Sequence, residues 1–127
     1  MTAQKLVLIL AANLGCLGVI LGAFGGHVVK DKFCPEMTAV YEVGVRYQMY
    51  HAIALLCIGL TIGQFGSSSL LSASAGLIFG GTLLFSVSLY ALALSGIKIL
   101  GIITPIGGVL MIMGWLAFGL GVYRIDA

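Results

Sequence analysis

Charge is what this chain lacks. Six Lys and Arg and four Asp and Glu make up 8% of its 127 residues, where an ordinary globular domain carries about 25%. Six of these ten charges lie between Lys30 and Arg46, and none occurs in the 51 residues from Tyr47 to Ile97. A soluble surface cannot be built over that length without charge, so the segment reads as backbone solvated by lipid. A net charge of +2 offers no basic patch, and no nucleic-acid partner is expected. The apolar runs hold no acidic residue, and the chain has no paired carboxylates, Ser-His-Asp order or phosphate-binding loop. These absences remove the common catalytic designs, and an enzyme is not expected. Cys16, Cys34 and Cys57 form no CxxC pair. Cys16 and Cys57 fall in apolar runs as small inert hydrophobes, and only Cys34 stands in a polar segment, with no neighbouring pattern that would activate its thiol. Zinc needs three or four protein ligands or a close equivalent. His27 and His51 are 24 residues apart, with Cys34 and Glu42 as the nearest third candidates, so neither a metal nor another cofactor is expected.

Apolar length is what the chain has in excess, at 61% hydrophobic residues and a mean hydropathy of +1.18. A hydrocarbon core about 30 Å thick takes roughly 20 helical residues. Four stretches meet that length, at about 6–26, 47–65, 70–94 and 100–122, with a polar loop at 27–46. Only helices satisfy their own backbone in lipid at this length. The expected fold is therefore all-α, an integral membrane bundle of four transmembrane helices forming one domain over residues 1–127. Lys5 followed by an apolar run imitates a signal peptide, and Leu14-Gly15-Cys16 hints at a lipoprotein box. The run is longer than a signal core and Asn13 spoils the box, so an uncleaved first helix is expected. The second helix is expected to start near Thr38, with Tyr41, Tyr47 and Tyr50 at the interface. Small residues mark expected helix contacts: Ala11, Gly15, Gly18, Gly22 and Gly26, then Ser72, Gly76 and Gly80, then Gly107, Gly114 and Gly121.

Four spans place both termini on one side and the segments 27–46 and 95–99 on the other. Lys30, Lys32, Arg46 and Lys98 against Lys5 and Arg124 put those two segments in the cytoplasm. The same topology gathers polar side chains in one half of the bundle: His27, Gln48, His51, Ser86, Ser88, Tyr90 and Thr104. At about 100° per residue, Gly44, Gln48, His51 and Leu55 share one face of the second helix. Glu42 and Arg46 lie opposite, spaced i, i+4 as a candidate interfacial ion pair. A buried Gln or His must find partners or cost energy. Thr104 stands where an N-cap belongs before Pro105, and Gly107-Gly108 leaves room for a ligand near that helix end.

Four segments carry a family resemblance: Leu21-Gly22-Ala23-Phe24-Gly25-Gly26-His27, Gly44-Val45-Arg46-Tyr47-Gln48-Met49-Tyr50-His51, Phe85-Ser86-Val87-Ser88-Leu89-Tyr90 and Thr104-Pro105-Ile106-Gly107-Gly108. In this order, over nearly the whole chain, they resemble the YgdD/YwdK-like small bacterial membrane proteins, known as domain of unknown function 423. Gly26 departs from the alanine expected there. The resemblance implies a multi-pass protein of the bacterial cell membrane and brings no activity or site residues.

Three functions fit these residues. The first is a structural or interaction subunit, self-associating or bound to another membrane protein, whose polar cluster locks helix geometry. The second is a small transporter or channel component for a proton or small polar solute. The third is a binder of a metal, lipid or quinone-like cofactor at the same cluster.

Overall fold

The computed structural model describes residues Met1–Asp126 as four long helices joined by short breaks. The first, α1 (Ala3–Lys32), opens at Thr2, whose hydroxyl accepts the Lys5 N–H at 3.2 Å. Near its far end it widens into a π turn over Gly25–Val29. Only Phe33 and Cys34 separate it from α2 (Pro35–Phe65). Proline suits the opening of α2 because the first helical N–H has no partner to lose. Gly66, at φ 91°, ends that helix in a backbone region open to glycine. Ser68 then caps α3 (Ser69–Ser95), its hydroxyl accepting the Leu71 N–H at 3.2 Å. Gly96, at φ 72°, terminates α3 in the left-handed conformation. The fourth helix, α4 (Lys98–Tyr123), begins as a 3-10 turn over Lys98–Ile102.

All four helices are long and apolar enough to cross a membrane. The expected polar loop at 27–46 shrinks to the two residues Phe33 and Cys34. Its charges sit instead on the ends of α1 and α2. At 1.5 Å per residue these helices run about 45 Å, well past a hydrocarbon core of about 30 Å. The helical start expected near Thr38 moves back to Pro35, because helix ends that leave the hydrocarbon carry charge freely.

The helices pack in chain order, α1 on α2, α2 on α3 and α3 on α4, with little contact between α1 and α3. The central pair is therefore best covered: 44% of the apolar window of α2 is buried, against 17% for α4. One apolar core joins Val7, Ala11 and Leu14 to Leu55, Ile58 and Ile62 of α2 and to Leu71 and Ile78 of α3. A smaller one forms around Val29, Tyr41, Tyr90 and Ala93. Tyr41 is thus core rather than interface, whereas Tyr47 and Tyr50 remain exposed.

Glycine decides how closely α4 approaches. A Cβ on Gly107 would collide with the Phe85 nitrogen, and one on Gly114 would lie 2.7 Å from Ile78. Gly121 would meet Leu71 at 3.0 Å. With no hydrophobic drive between helices in lipid, such backbone contact is a main source of cohesion. In α1, Gly18 and Gly22 face Met49 and Val45 of α2, but Gly15 and Gly26 face open space. Gly76 and Gly80 are also open, because α1 does not close against that side of α3.

Candidate functional site

The buried face of α2 positions the site. Gly44, Gln48, His51 and Leu55 are all buried, while Glu42, Arg46 and Tyr50 are exposed. Gly44 leaves room for an aromatic ring, since a Cβ there would stand 2.7 Å from Tyr90 Cε1. Through that gap the Tyr90 hydroxyl donates to Gln48 Oε1 at 2.7 Å. Gln48 Nε2 in turn donates to the Leu14 carbonyl at 2.9 Å. A carbonyl only accepts, so the amide orientation is set, and its two ends link α1, α2 and α3. Beside this relay Ser86 Oγ donates to the Gly44 carbonyl at 2.7 Å.

Tyr41 extends the arrangement toward the π turn. Its ring packs 5.2 Å from that of Tyr90, centroid to centroid, at 47°. Its hydroxyl donates to the Leu21 carbonyl at 2.6 Å. A Cβ on Gly25 would lie 2.6 Å from Tyr41 Cε1, so the glycine at the π turn admits the ring.

His51 holds a second linkage, to α4. Its Nδ1 lies 2.7 Å from the Tyr47 carbonyl, and Trp115 Nε1 lies 3.1 Å from its Nε2. The carbonyl must accept and the indole N–H must donate, so the ring carries its proton on Nδ1 and accepts at Nε2. The Trp115 ring meets the imidazole edge-on, at a centroid distance of 5.9 Å and 69°. A third linkage pairs Ser88 Oγ with Thr104 Oγ1 at 2.6 Å. Ser88 also donates to the Phe85 carbonyl at 2.8 Å, which leaves Thr104 as the donor between the two hydroxyls.

Of the candidate cluster, Gln48, Tyr90 and Ser86 therefore meet around one relay, while His51 and the Ser88–Thr104 pair each reach α4 separately. His27 does not join them: it lies exposed in the π turn, whose extra residue per turn rotates it away from the face extrapolated at α-helical spacing. Glu42 and Arg46 are both exposed, and no ion pair forms between them; solvated separately, they lose little by staying apart. Thr104 is not an N-cap, since α-helical geometry already begins at Ile103 after the 3-10 turn. The space expected at Gly107 is filled by the backbone of α3.

The sequence reading missed Trp115 and the carbonyl acceptors. Trp115 is the only tryptophan, and a lone indole N–H inside an apolar span needs an acceptor, a signal that was there to use. The acceptors of Leu14, Leu21 and Gly44 are backbone atoms and leave no mark on residue type.

Among the described residues, no buried side-chain nitrogen or oxygen lacks a hydrogen-bond partner. No three His, Cys, Asp or Glu side chains among them come together as a metal-ligand set. A cleft of about 110 Å³ at the relay is lined by Leu14, Leu17, Leu21, Leu83 and Val87 and by the polar side chains Gln48, Thr82, Ser86 and Tyr90. A larger cavity of about 400 Å³ lies away from the cluster, between the Gly66–Ser68 turn and Arg124.

Four apolar helices of membrane-spanning length, joined by neutral hydrogen bonds, define an all-helical integral membrane protein. The family described as "Protein of unknown function (DUF423)" matches residues 21–108, a segment holding every candidate residue of the cluster. The UPF0382 membrane protein YwdK of Bacillus subtilis is 39% identical over 113 residues, which cover 89% of this chain and 92% of that protein. The UPF0382 membrane protein SSP2132 of Staphylococcus saprophyticus is 43% identical over 122 residues, covering 96% of this chain and all of the relative. A Staphylococcus epidermidis UPF0382 membrane protein is 46% identical over 113 residues, 89% of this chain and 91% of its own. The chain belongs to the DUF423 family of membrane proteins. No solved structure matches it.

Proposed function

We propose that this protein is a non-enzymatic structural or interaction subunit of the bacterial cell membrane, working as part of an assembly. The observation that carries the reading is the completeness of internal pairing. Gln48 uses both ends of its amide and His51 both ring nitrogens on groups of the same chain. A solute or cofactor binding to a His51 ring nitrogen would have to break one of these bonds, and at Gln48 it would find one N–H and one oxygen lone pair left beside the two bonds that tie the helices. A transport or cofactor role therefore gains no support from the cluster, and a lock on helix geometry does.

The assembly part of the reading is supported by α1 and α4, which flank the bundle and turn most of their surface outward. A second copy of the chain or another membrane protein would cover that surface. The helix ends near Phe33-Cys34 and Ile97 face the cytoplasm in this proposal, because Lys30, Lys32, Arg46 and Lys98 gather there.

Native mass measurement on protein extracted from its own membrane into lipid nanodiscs tests the proposal. The expected result is a species containing at least two copies or a stoichiometric partner. A population made only of single chains contradicts it.

A further inference from the structure

The linkage between α2 and α4 differs from the rest of the fold. These helices do not pack closely, yet the Trp115 indole N–H donates across to His51 Nε2 at 3.1 Å. His51 is 5% exposed and Trp115 48% exposed. The imidazole is therefore buried in the bundle while the indole stands half-exposed at its edge. Apart from this bond, α4 is held to α3 by the glycine contacts and the Thr104–Ser88 pair.

We propose that His51 and Trp115 form a proton-operated latch on α4. The inference rests on the reading of the cluster as a structural lock and adds that one of its bonds is breakable by acid. Nε2 accepts only while the imidazole is neutral. A proton added there turns it into a donor facing the indole N–H, which is also a donor, and the bond is lost. Nδ1–H still donates to the Tyr47 carbonyl, so the imidazolium stays on α2 and the indole is the group released.

The surroundings leave no other charge to steer this step. The groups facing the ring are Tyr47, whose ring stacks 6.1 Å away at 15°, and Trp115. No Asp, Glu, Lys or Arg occurs at 6–29, 47–97 or 99–123, so α1, α3 and α4 bring none to the imidazole within the membrane.

Because Trp115 is the only tryptophan and His27 the only other histidine, the test is clean in the full chain. In lipid nanodiscs, Trp115 fluorescence and its indole N–H resonance would be followed from about pH 8 to about pH 5. The expected result is a shift of the emission maximum and of the resonance, as the indole leaves its acceptor, in the wild type and in H27N, with neither in H51N or H51Q, and unchanged helicity throughout. Wild-type signals that do not vary with pH overturn the latch, as does the same titration in H51N or H51Q, or a change that tracks loss of helicity. The readout is internal to one chain, so it is independent of whether native mass measurement finds an assembly.

Discussion

Gln48 is satisfied at both ends of its amide, and each end depends on a different helix. Ser88 is less dependent on its neighbour, because it keeps the Phe85 carbonyl if Thr104 is lost. That difference sets the order of costs. Replacing Tyr90 with Phe strands Gln48 Oε1 in an apolar interior and is expected to cost about 1–2 kcal/mol. Replacing Thr104 with Val strands nothing and should cost under about 1 kcal/mol, near the average for hydrogen bonds between membrane helices. Equilibrium unfolding in detergent micelles checks the ranking. At this scale, sequence periodicity placed Gln48 and His51 on the buried face, because a regular helix repeats faithfully from Gly44 to Leu55. It failed for His27, where the π turn changes the repeat, and it could not see Leu14, Leu21 or Gly44 as acceptors.

The helices themselves were legible from the charge gap, and so was the seven-residue glycine repeat of α4. The helix ends were not. Charged residues at 30–36 read as loop, yet α1 runs on to Lys32 and α2 begins at Pro35, so those charges sit on helical turns. The small-residue stripes also split by context: Gly107 and Gly114 meet backbone or packed side chains of α3, while Gly76, Gly80 and Gly119 meet nothing within 4 Å. A Cβ at Gly107 therefore forces α3 and α4 apart. Gly107→Ala is expected to lose about 1–3 kcal/mol, whereas Gly119→Ala should be neutral or slightly stabilising through better helix propensity. Thermal unfolding of the two variants in the same micelle distinguishes these outcomes, and equal effects would remove close backbone approach as the basis of α4 docking.

Across the whole molecule, two kinds of cohesion divide the work. Apolar packing and the Gln48 relay join α1, α2 and α3, whereas glycine contacts and two side-chain hydrogen bonds hold α4. The result is a chain-ordered bundle in which α4 packs extensively on α3 and reaches α2 through the Trp115–His51 bond. The central claim is that the polar cluster is a lock acting between helices. A double-mutant cycle on Gln48→Leu and Tyr90→Phe, read as global unfolding free energy, tests it most directly. Joint removal should cost less than the sum of the single changes, with a coupling of about 0.5–2 kcal/mol, because the second substitution removes the group the first one stranded. Strictly additive costs would mean that the two side chains do not act on each other, and would contradict the account.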